Sequence, residues 1–576
     1  MKYPELIPTD RSPAPLGRIL PRDRHRLSFV LLWLFFLAYL CYWARMHWGW
    51  LFDPLLQNDD ARIWLFPFHR YTPGSPLADD PVAMEKLALL PSGIRLLYRF
   101  LVPWAGLYAA AKIVQGICLG IIGLSGWALG RSKRGGLAAG ILLVFLMLNT
   151  RFIPNTMAGG LARGFAFPLS ALWVAGVFTR RERLRWAAIL LLALTYPMSM
   201  VLLLGCEALT ALWENLRKTG KAVRLRLLRA ILLACVSVLI ILPYMASTRK
   251  IGRPFTLQEA IHEPAFYQKG RLYELPFPGI REVREKLSPY PGYIVVSSVL
   301  AVLVLFSLLA RFVLPVEALA LLTVSCVLYW LSRVFAFRLF MPERFLDYAD
   351  PVLCIMLALA MLRLIAVRIR EPKRAVLRNL AVCGFIAAFV FLFPKNIRPE
   401  NGMTIEGRSH NQLYAFLRTL PPGIRIACHP DDGNDIPFWA GRATLVNHEN
   451  LLPFSVEFWE FQKTRTRDTL SALYSANRSG VFSFSEKYQV THFLLNEERY
   501  GPGFREAASI FEPFGSYVRG LMVPLEREDL ALADIPPQAV VLRDPPFLLV
   551  EVKRLKDCWG TKDTQKRKAQ EVLKKE

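Results

Sequence analysis

The chain has 576 residues, 53% of them hydrophobic, a mean hydropathy of +0.30 and a formal charge of +25. Apolar runs of about 15–25 residues recur from Leu27 to Phe393 and match the roughly 20 residues a helix needs to cross a bilayer core, which excludes an ordinary soluble fold for that part. Lys and Arg cluster beside those runs, where membrane topology and anionic lipid account for them, so nucleic acid is set aside as a partner.

Residues 1–27 form a polar, basic N-terminus with Arg22, Arg24 and Arg26 before the first span, Ser28 to about Arg45. No small-residue cleavage site follows, so the span reads as an uncleaved signal anchor. With the basic side in the cytoplasm, the chain emerges outside after Trp48, and the first outside loop covers 47–102. Further spans are expected over Pro103–Gly130, Gly136–Asn149 and Phe165–Phe178. Two short ones turn at Tyr196-Pro197, and Ala230–Met245 follows. A second outside loop, 247–292, leads to Tyr293–Leu309, Val316–Leu331, Phe345–Ile365 and Leu380–Phe393. Counted this way, about eleven transmembrane helices fill residues 28–394. The connections expected inside are rich in Lys and Arg, from Arg131–Arg134 to Arg368–Arg378. Tyr196-Pro197 fits a re-entrant turn facing a site or a tight outside turn.

After Pro394 the sequence turns mixed. Ile424–Cys428, Ala443–Val446, Val490–Leu495 and Phe547–Val552 read as strands, and Ser455–Ser475 reads as a helix. Residues 395–552 are therefore expected to be a soluble α/β domain, extracytoplasmic by the alternation, with a solvated charged tail over 553–576. The predicted fold class is an α-helical polytopic membrane protein with a C-terminal soluble α/β domain. Seven of the nine cysteines lie in apolar runs and read as small buried side chains. Cys428 and Cys558 lie in the soluble part, and spacing does not decide whether they pair.

The residues richest in chemistry follow the first span: Gln57-Asn58-Asp59-Asp60-Ala61-Arg62. Carboxylates are scarce in the apolar part because a charge at a span centre costs about 2.5–3.5 kcal/mol. Asp59 and Asp60 sit where membrane meets water. Adjacent side chains do not share a helix face, so the pair can split roles, one contacting an acceptor hydroxyl and the other (Asp60) holding a divalent cation such as Mg or Mn. The competing reading is a helix N-cap by Asn58 or Asp59. Arg163, between glycines, and Arg338 and Arg344, in a basic-aromatic loop, carry the planar two-pronged donor that suits a lipid-linked phosphate. Their alternative is interfacial anchoring. Arg62 and His69 are possible substrate contacts, although a lone loop histidine is more often structural. His429-Pro430-Asp431-Asp432-Gly433-Asn434-Asp435 has no EF-hand spacing and reads as a strand-to-helix turn. Glycine-rich phosphate loops, nucleophile elbows and HExxH motifs are lacking.

The basic N-terminus, the first span, the Asn58-Asp59-Asp60-Ala61-Arg62 opening of the first outside loop and the many spans resemble the GT-C superfamily of membrane glycosyltransferases. Gly160–Pro168, Pro342–Tyr348 and Tyr488–Leu495 are similar to segments of bacterial multi-pass relatives. The resemblance implies a polyprenyl-phosphate-linked sugar donor, a glycan, lipid or protein acceptor, surrounding membrane lipids as partners, and the bacterial inner membrane as location. It also implies inverting transfer at the outer face, with Asp59 and Asp60 as base or metal ligand. No Trp-Trp-Asp signature of oligosaccharyltransferases is present, which argues against protein N-glycosylation. Two other expectations stay open at this point: a non-catalytic flippase or transporter of lipid-linked sugar, and a structural membrane protein whose outer domain binds a partner.

Overall fold

The computed structural model describes residues 22–72, 74–132, 136–150, 152–217, 220–272, 275, 315–335, 341–368, 373–392 and 404–560. The span expected over Tyr293–Leu309, Arg338 and the end of the charged tail lie outside the described residues.

Seven described helices are long and apolar enough to cross a membrane: Leu27–Met46, Leu107–Gly130, Ala162–Thr179, Pro197–Arg217, Arg224–Thr248, Val316–Val334 and Glu343–Arg363. An eighth is added if Gly136–Asn149 and Phe152–Gly160, bent by 72° at their junction, count as one. The protein is a multi-pass membrane protein. The count of about eleven is not reached among the described residues. Glu182–Thr195 has only 14 residues, and the apolar part of Lys373–Leu392 begins at Val376. Both nevertheless pack against their neighbours in the bundle.

Small residues let two of these helices come close. A Cβ on Gly140 would lie 2.3 Å from the Gly126 carbonyl oxygen, and one on Gly126 would lie 2.3 Å from Val144. In lipid, where apolar side chains gain little from leaving the solvent, such close backbone packing replaces the hydrophobic drive. The bundle also buries charge. Glu207, halfway along Pro197–Arg217, accepts from Trp173 Nε1 at 2.9 Å and pairs with Arg185 Nη1 at 3.2 Å. Arg185 also reaches Glu317 at 3.5 Å. Removing one partner of such a pair strands the other charge, a loss of about 3–5 kcal/mol. This network lies at the end of the bundle that carries the basic connections.

At the other end, the segment between the first two spans folds onto the C-terminal domain. Strand β1 (Leu56–Asn58) pairs antiparallel with β2 (Thr404–Glu406), Asn58 opposite Thr404. The domain's main sheet contains β3 (Ile426–Cys428), β4 (His492–Asn496), β5 (Val540–Asp544) and β6 (Phe547–Glu551) in the order β3-β4-β6-β5. β3 and β4 are parallel, and the other pairs are antiparallel. The expected strand Ala443–Val446 reduces to one bridge, Thr444 to Ile426. The period of two along each strand feeds two cores. Leu494 and Leu549 join Leu413, Phe438 and Trp439 on the bundle side, while Phe493, Leu495 and Val550 join Trp459, Phe514 and Phe266 on the other. Helix Val456–Leu473 falls within the expected Ser455–Ser475.

Two boundaries differ from expectation. Phe255, Phe266 and Leu275, from the loop expected over 247–292, lie in the outer core of the C-terminal domain, so that domain is discontinuous in sequence. Residues 552–560 are helical, and Leu555 and Trp559 are buried in the same core. Packing therefore continues past 552. Two apolar side chains four apart sit on one helix face even when charges surround them. Cys428 is buried in β3 and Cys558 is half-buried in this helix; both are free thiols.

Candidate active site

The site forms where β1 ends. Asn58 is buried and its Oδ1 accepts from the Asp60 N–H at 3.1 Å, while Asp59 Oδ1 accepts from the same N–H at 2.9 Å. This turn opens the short helix Ala61–Trp64. Asp60 stands at the N-cap position, yet its carboxylate makes no cap bond and instead pairs with Arg163 Nη1. Arg163 Nη2 donates to Asn58 Oδ1 at 3.3 Å. Asn58 thus touches both the acid and the arginine.

Arg163 reaches this point because of the glycines before it. Gly159 and Gly160 have φ of +74° and +68°, the left-handed region that favours glycine. A Cβ on Gly159 would lie 2.8 Å from Asn58 Cβ, and one on Gly160 would lie 2.4 Å from the Ala111 carbonyl oxygen. The loop is fixed by Tyr98, whose hydroxyl donates to the Gly160 carbonyl at 2.8 Å, and by the Gly159 N–H, which donates to Gln115 Oε1 at 3.3 Å.

Arg344 opens the helix Glu343–Arg368, and its charge acts on Tyr348, Tyr196, Asp347 and Asp60. Tyr196 lies in the field of both Arg344 and Arg163, and its hydroxyl is 3.1 Å from that of Tyr348. The break at Tyr196-Pro197 therefore faces the arginines.

The two aspartates differ. Asp60 is committed to Arg163. Asp59 is half-buried, and its Oδ1 accepts from the Asp60 N–H at 2.9 Å. Its pKa is raised, first by burial and then by the Asp60 charge, with Arg163 and Arg62 only partly opposing. A carboxylate so placed is a stronger proton acceptor than an ordinary aspartate once ionised.

The hydrogen bonds of Arg62 and His69 go elsewhere, although the Arg62 charge acts on Asp59. Arg62 turns to the C-terminal domain, with Nη1 3.3 Å from Asp435 Oδ1 and Nη2 2.8 Å from Glu449 Oε1. Arg271 holds the other Glu449 oxygen at 2.5 Å. Burial works against the Arg62 charge, and the Asp435 and Glu449 carboxylates outweigh it and hold its pKa above the usual value. His69 Nε2 lies 2.7 Å from the Phe438 carbonyl oxygen. Burial, with help from Arg418 and Arg442, pushes the His69 pKa down to about 4, so the ring is neutral and donates. Both side chains clasp the segment between the first two spans to the C-terminal domain through these bonds.

In the acidic run after β3, Asp431 bonds His448, Asp432 pairs with Arg499 Nε at 2.7 Å, and Asp435 takes Arg62. The run is a strand-to-helix turn with its carboxylates engaged in ion pairs. The donors near Asp60 do not fit a resident metal ion either. Asp60 Oδ2 and Asn58 Oδ1 are directed at Arg163, and among the described residues no three His, Cys, Asp or Glu side chains converge as metal ligands would.

Sequence reasoning singled out Asp59, Asp60, Arg163, Arg344 and Tyr196. It treated Asn58 only as a cap and gave Tyr348 no role. A buried asparagine beside an acid pair shows its function only once its partner, 105 positions away, is known.

No family model matches the chain, and no curated protein matches it. Among solved structures it is similar to the Archaeoglobus fulgidus oligosaccharyltransferase in complex with Zn and sulfate, at 16% identity over 84% of this chain and 70% of that one, TM-score 0.43. It is also similar to ArnT from Cupriavidus metallidurans in the apo state, at 14% identity over 89% of this chain and 97% of that one, TM-score 0.48. A third is archaeal AglB from Archaeoglobus fulgidus in complex with an inhibitory peptide and a dolichol-phosphate, at 13% identity, 84% and 70% coverage and TM-score 0.36.

Proposed function

We propose that the protein is a membrane glycosyltransferase that moves a sugar from a polyprenyl-phosphate-linked donor to an acceptor hydroxyl at the outer face of the membrane, with inversion. The observation that carries this is the division of labour at the turn after β1. Asp60 holds Arg163, while Asp59 keeps a carboxylate of raised basicity beside that arginine.

In this mechanism Asp59 accepts the proton of the acceptor hydroxyl as its oxygen attacks the anomeric carbon. The bond between that carbon and the phosphate oxygen breaks, and the phosphate keeps the electron pair. Its negative charge grows as the sugar leaves. Arg163 and Arg344 stabilise it through charge-assisted hydrogen bonds whose donors are already in place. A single displacement inverts the anomeric carbon. The lipid phosphate arrives in the membrane plane, which suits a site at the end of the bundle. Asp59 and Asp60 supply no metal cage, and the mechanism routes no step through an ion.

Basic connections cluster at the opposite end of the bundle, which supports an inner position for that end and an outer one for the site and the C-terminal domain. The test is transfer from a panel of labelled polyprenyl-phosphate sugars by the reconstituted protein. The proposal expects a product of inverted configuration and a loss of about 100- to 10,000-fold in Asp59→Asn. Wild-type transfer by folded Asp59→Asn overturns it.

A further inference from the structure

The helix Ser92–Ala105 immediately precedes the span Leu107–Gly130, joined to it through Gly106 at φ +77°. Its two faces differ. Ile94, Tyr98, Leu101 and Val102 are buried. Leu96, Phe100 and Trp104, four residues apart, are 68%, 78% and 78% exposed. Arg99 is exposed beside this stripe, Arg95 flanks it one turn earlier, and there is no Asp or Glu between Ser92 and Ala105.

The neighbours fix the level of the helix. A Cβ on Gly93 would touch the Leu194 carbonyl oxygen at 2.6 Å, at the site-facing end of Glu182–Thr195. Just before the helix, the Ala88 carbonyl accepts from Ser247 Oγ at 2.9 Å, at the site-facing end of Lys221–Thr248. The helix then enters Leu107–Gly130 at that span's own site-facing end. Contact with the same ends of three helices of the bundle places it at the level of the site-facing membrane surface.

We infer that this helix is a lipid-binding surface for anionic phospholipid. Leu96, Phe100 and Trp104 enter the acyl region of the leaflet on the site's side, and Arg95 and Arg99 meet phosphate headgroups. A basic helix with one apolar face lies in the interface in this way, long arginine stems reaching up to the headgroups. The opposite face bears on the candidate site. Tyr98 stacks on Phe68 at 4.3 Å and donates to the Gly160 carbonyl, three residues before Arg163. The lipid seat and the arginine loop thus share one helix. The inference needs only the membrane fold and holds whether or not the protein transfers sugar.

The test places the photoreactive analogue p-benzoylphenylalanine at position 100, or at position 523 in the C-terminal domain as an exposed control. The full-length protein is irradiated in vesicles of equal phosphatidylglycerol and phosphatidylcholine, and lipid adducts are identified by mass spectrometry. The expected result is lipid adducts at position 100 only, enriched at least about fivefold in phosphatidylglycerol. In Arg95→Gln/Arg99→Gln the adducts persist and the enrichment disappears. No lipid adduct at position 100, an adduct to a second protein copy instead, or adducts in proportion to bulk lipid in the wild type would overturn the inference.

Discussion

Replacing Gly159 or Gly160 with alanine tests whether loop geometry, rather than arginine chemistry alone, sets the site. Both glycines have positive φ, where an L side chain costs roughly 1–2 kcal/mol. The new methyl groups also meet atoms at 2.8 Å (Asn58 Cβ) and 2.4 Å (Ala111 O). Ordinary contact between carbon atoms is about 3.5–4.0 Å, so the Gly159 loop must move by about 1 Å. A displacement of that size at a reacting centre lowers rate about 100-fold, far more than the strain lowers folding. Gly164→Ala is the control: its Cβ would meet Met157 at an ordinary 3.4 Å, and its φ is not positive. The assay pairs initial rates of sugar transfer with melting temperature. The expected result is a rate about 100-fold down in Gly159→Ala and Gly160→Ala, melting lowered by a few degrees, and near wild-type behaviour in Gly164→Ala. Wild-type rates in both glycine variants, or an equal loss in Gly164→Ala, would refute the reasoning.

Asn58→Ala removes the acceptor shared by Arg163 and the Asp60 N–H, and should lower kcat/KM about 10- to 100-fold; Asn58→Asp keeps an oxygen there and should recover most of it, whereas a merely volumetric role would be met by Asn58→Leu. Because the Asp59 pKa is raised and the base must be ionised, transfer should fall with acid at a pH above the ordinary aspartate range. Asp60→Asn should move that limb to lower pH, and Arg163→Gln to higher pH, read from kcat/KM profiles. His69 should make stability pH-dependent. Its folded pKa of about 4 lies below the ordinary 6.5, so stabilisation is complete above pH 6.5 and is lost as pH falls toward 4, by about 3 kcal/mol. Melting curves of His69→Gln, which keeps a donor for the Phe438 carbonyl, should lose that dependence.

The spans were legible because lipid imposes one simple pattern, long apolar runs bounded by basic residues. The helix Val456–Leu473 and strands β3, β4 and β6 also carry local periodicity. β2 and β5 did not show, because β2 is three residues that make sense only beside β1, and β5 is half-buried at the edge of its sheet. The buried Glu207-Arg185 pair lies in helices that otherwise read as apolar, and its partners are distant in sequence. At the site, charge type and position marked Asp59, Asp60, Arg163 and Arg344. What they lacked was pairing. Only the folded chain shows Asp60 spent on Arg163, Asp59 without an ion-pair partner among the described residues, and Arg62 and His69 turned toward the C-terminal domain. Glycine spacing in Gly159-Gly160-Leu161-Ala162-Arg163 hinted at an open backbone, and positive φ gives the reason.

The central claim is that Asp59 accepts the proton and Asp60 positions Arg163. The most direct measurement compares single-turnover sugar transfer by reconstituted wild type, Asp59→Asn and Asp60→Asn across pH, at matched folding and donor binding. The account predicts that Asp59→Asn loses at least about 100-fold at every pH, while Asp60→Asn keeps a measurable rate with weaker donor binding and an acid limb at lower pH. Transfer by Asp59→Asn at the wild-type rate, or loss confined to Asp60→Asn, would contradict it.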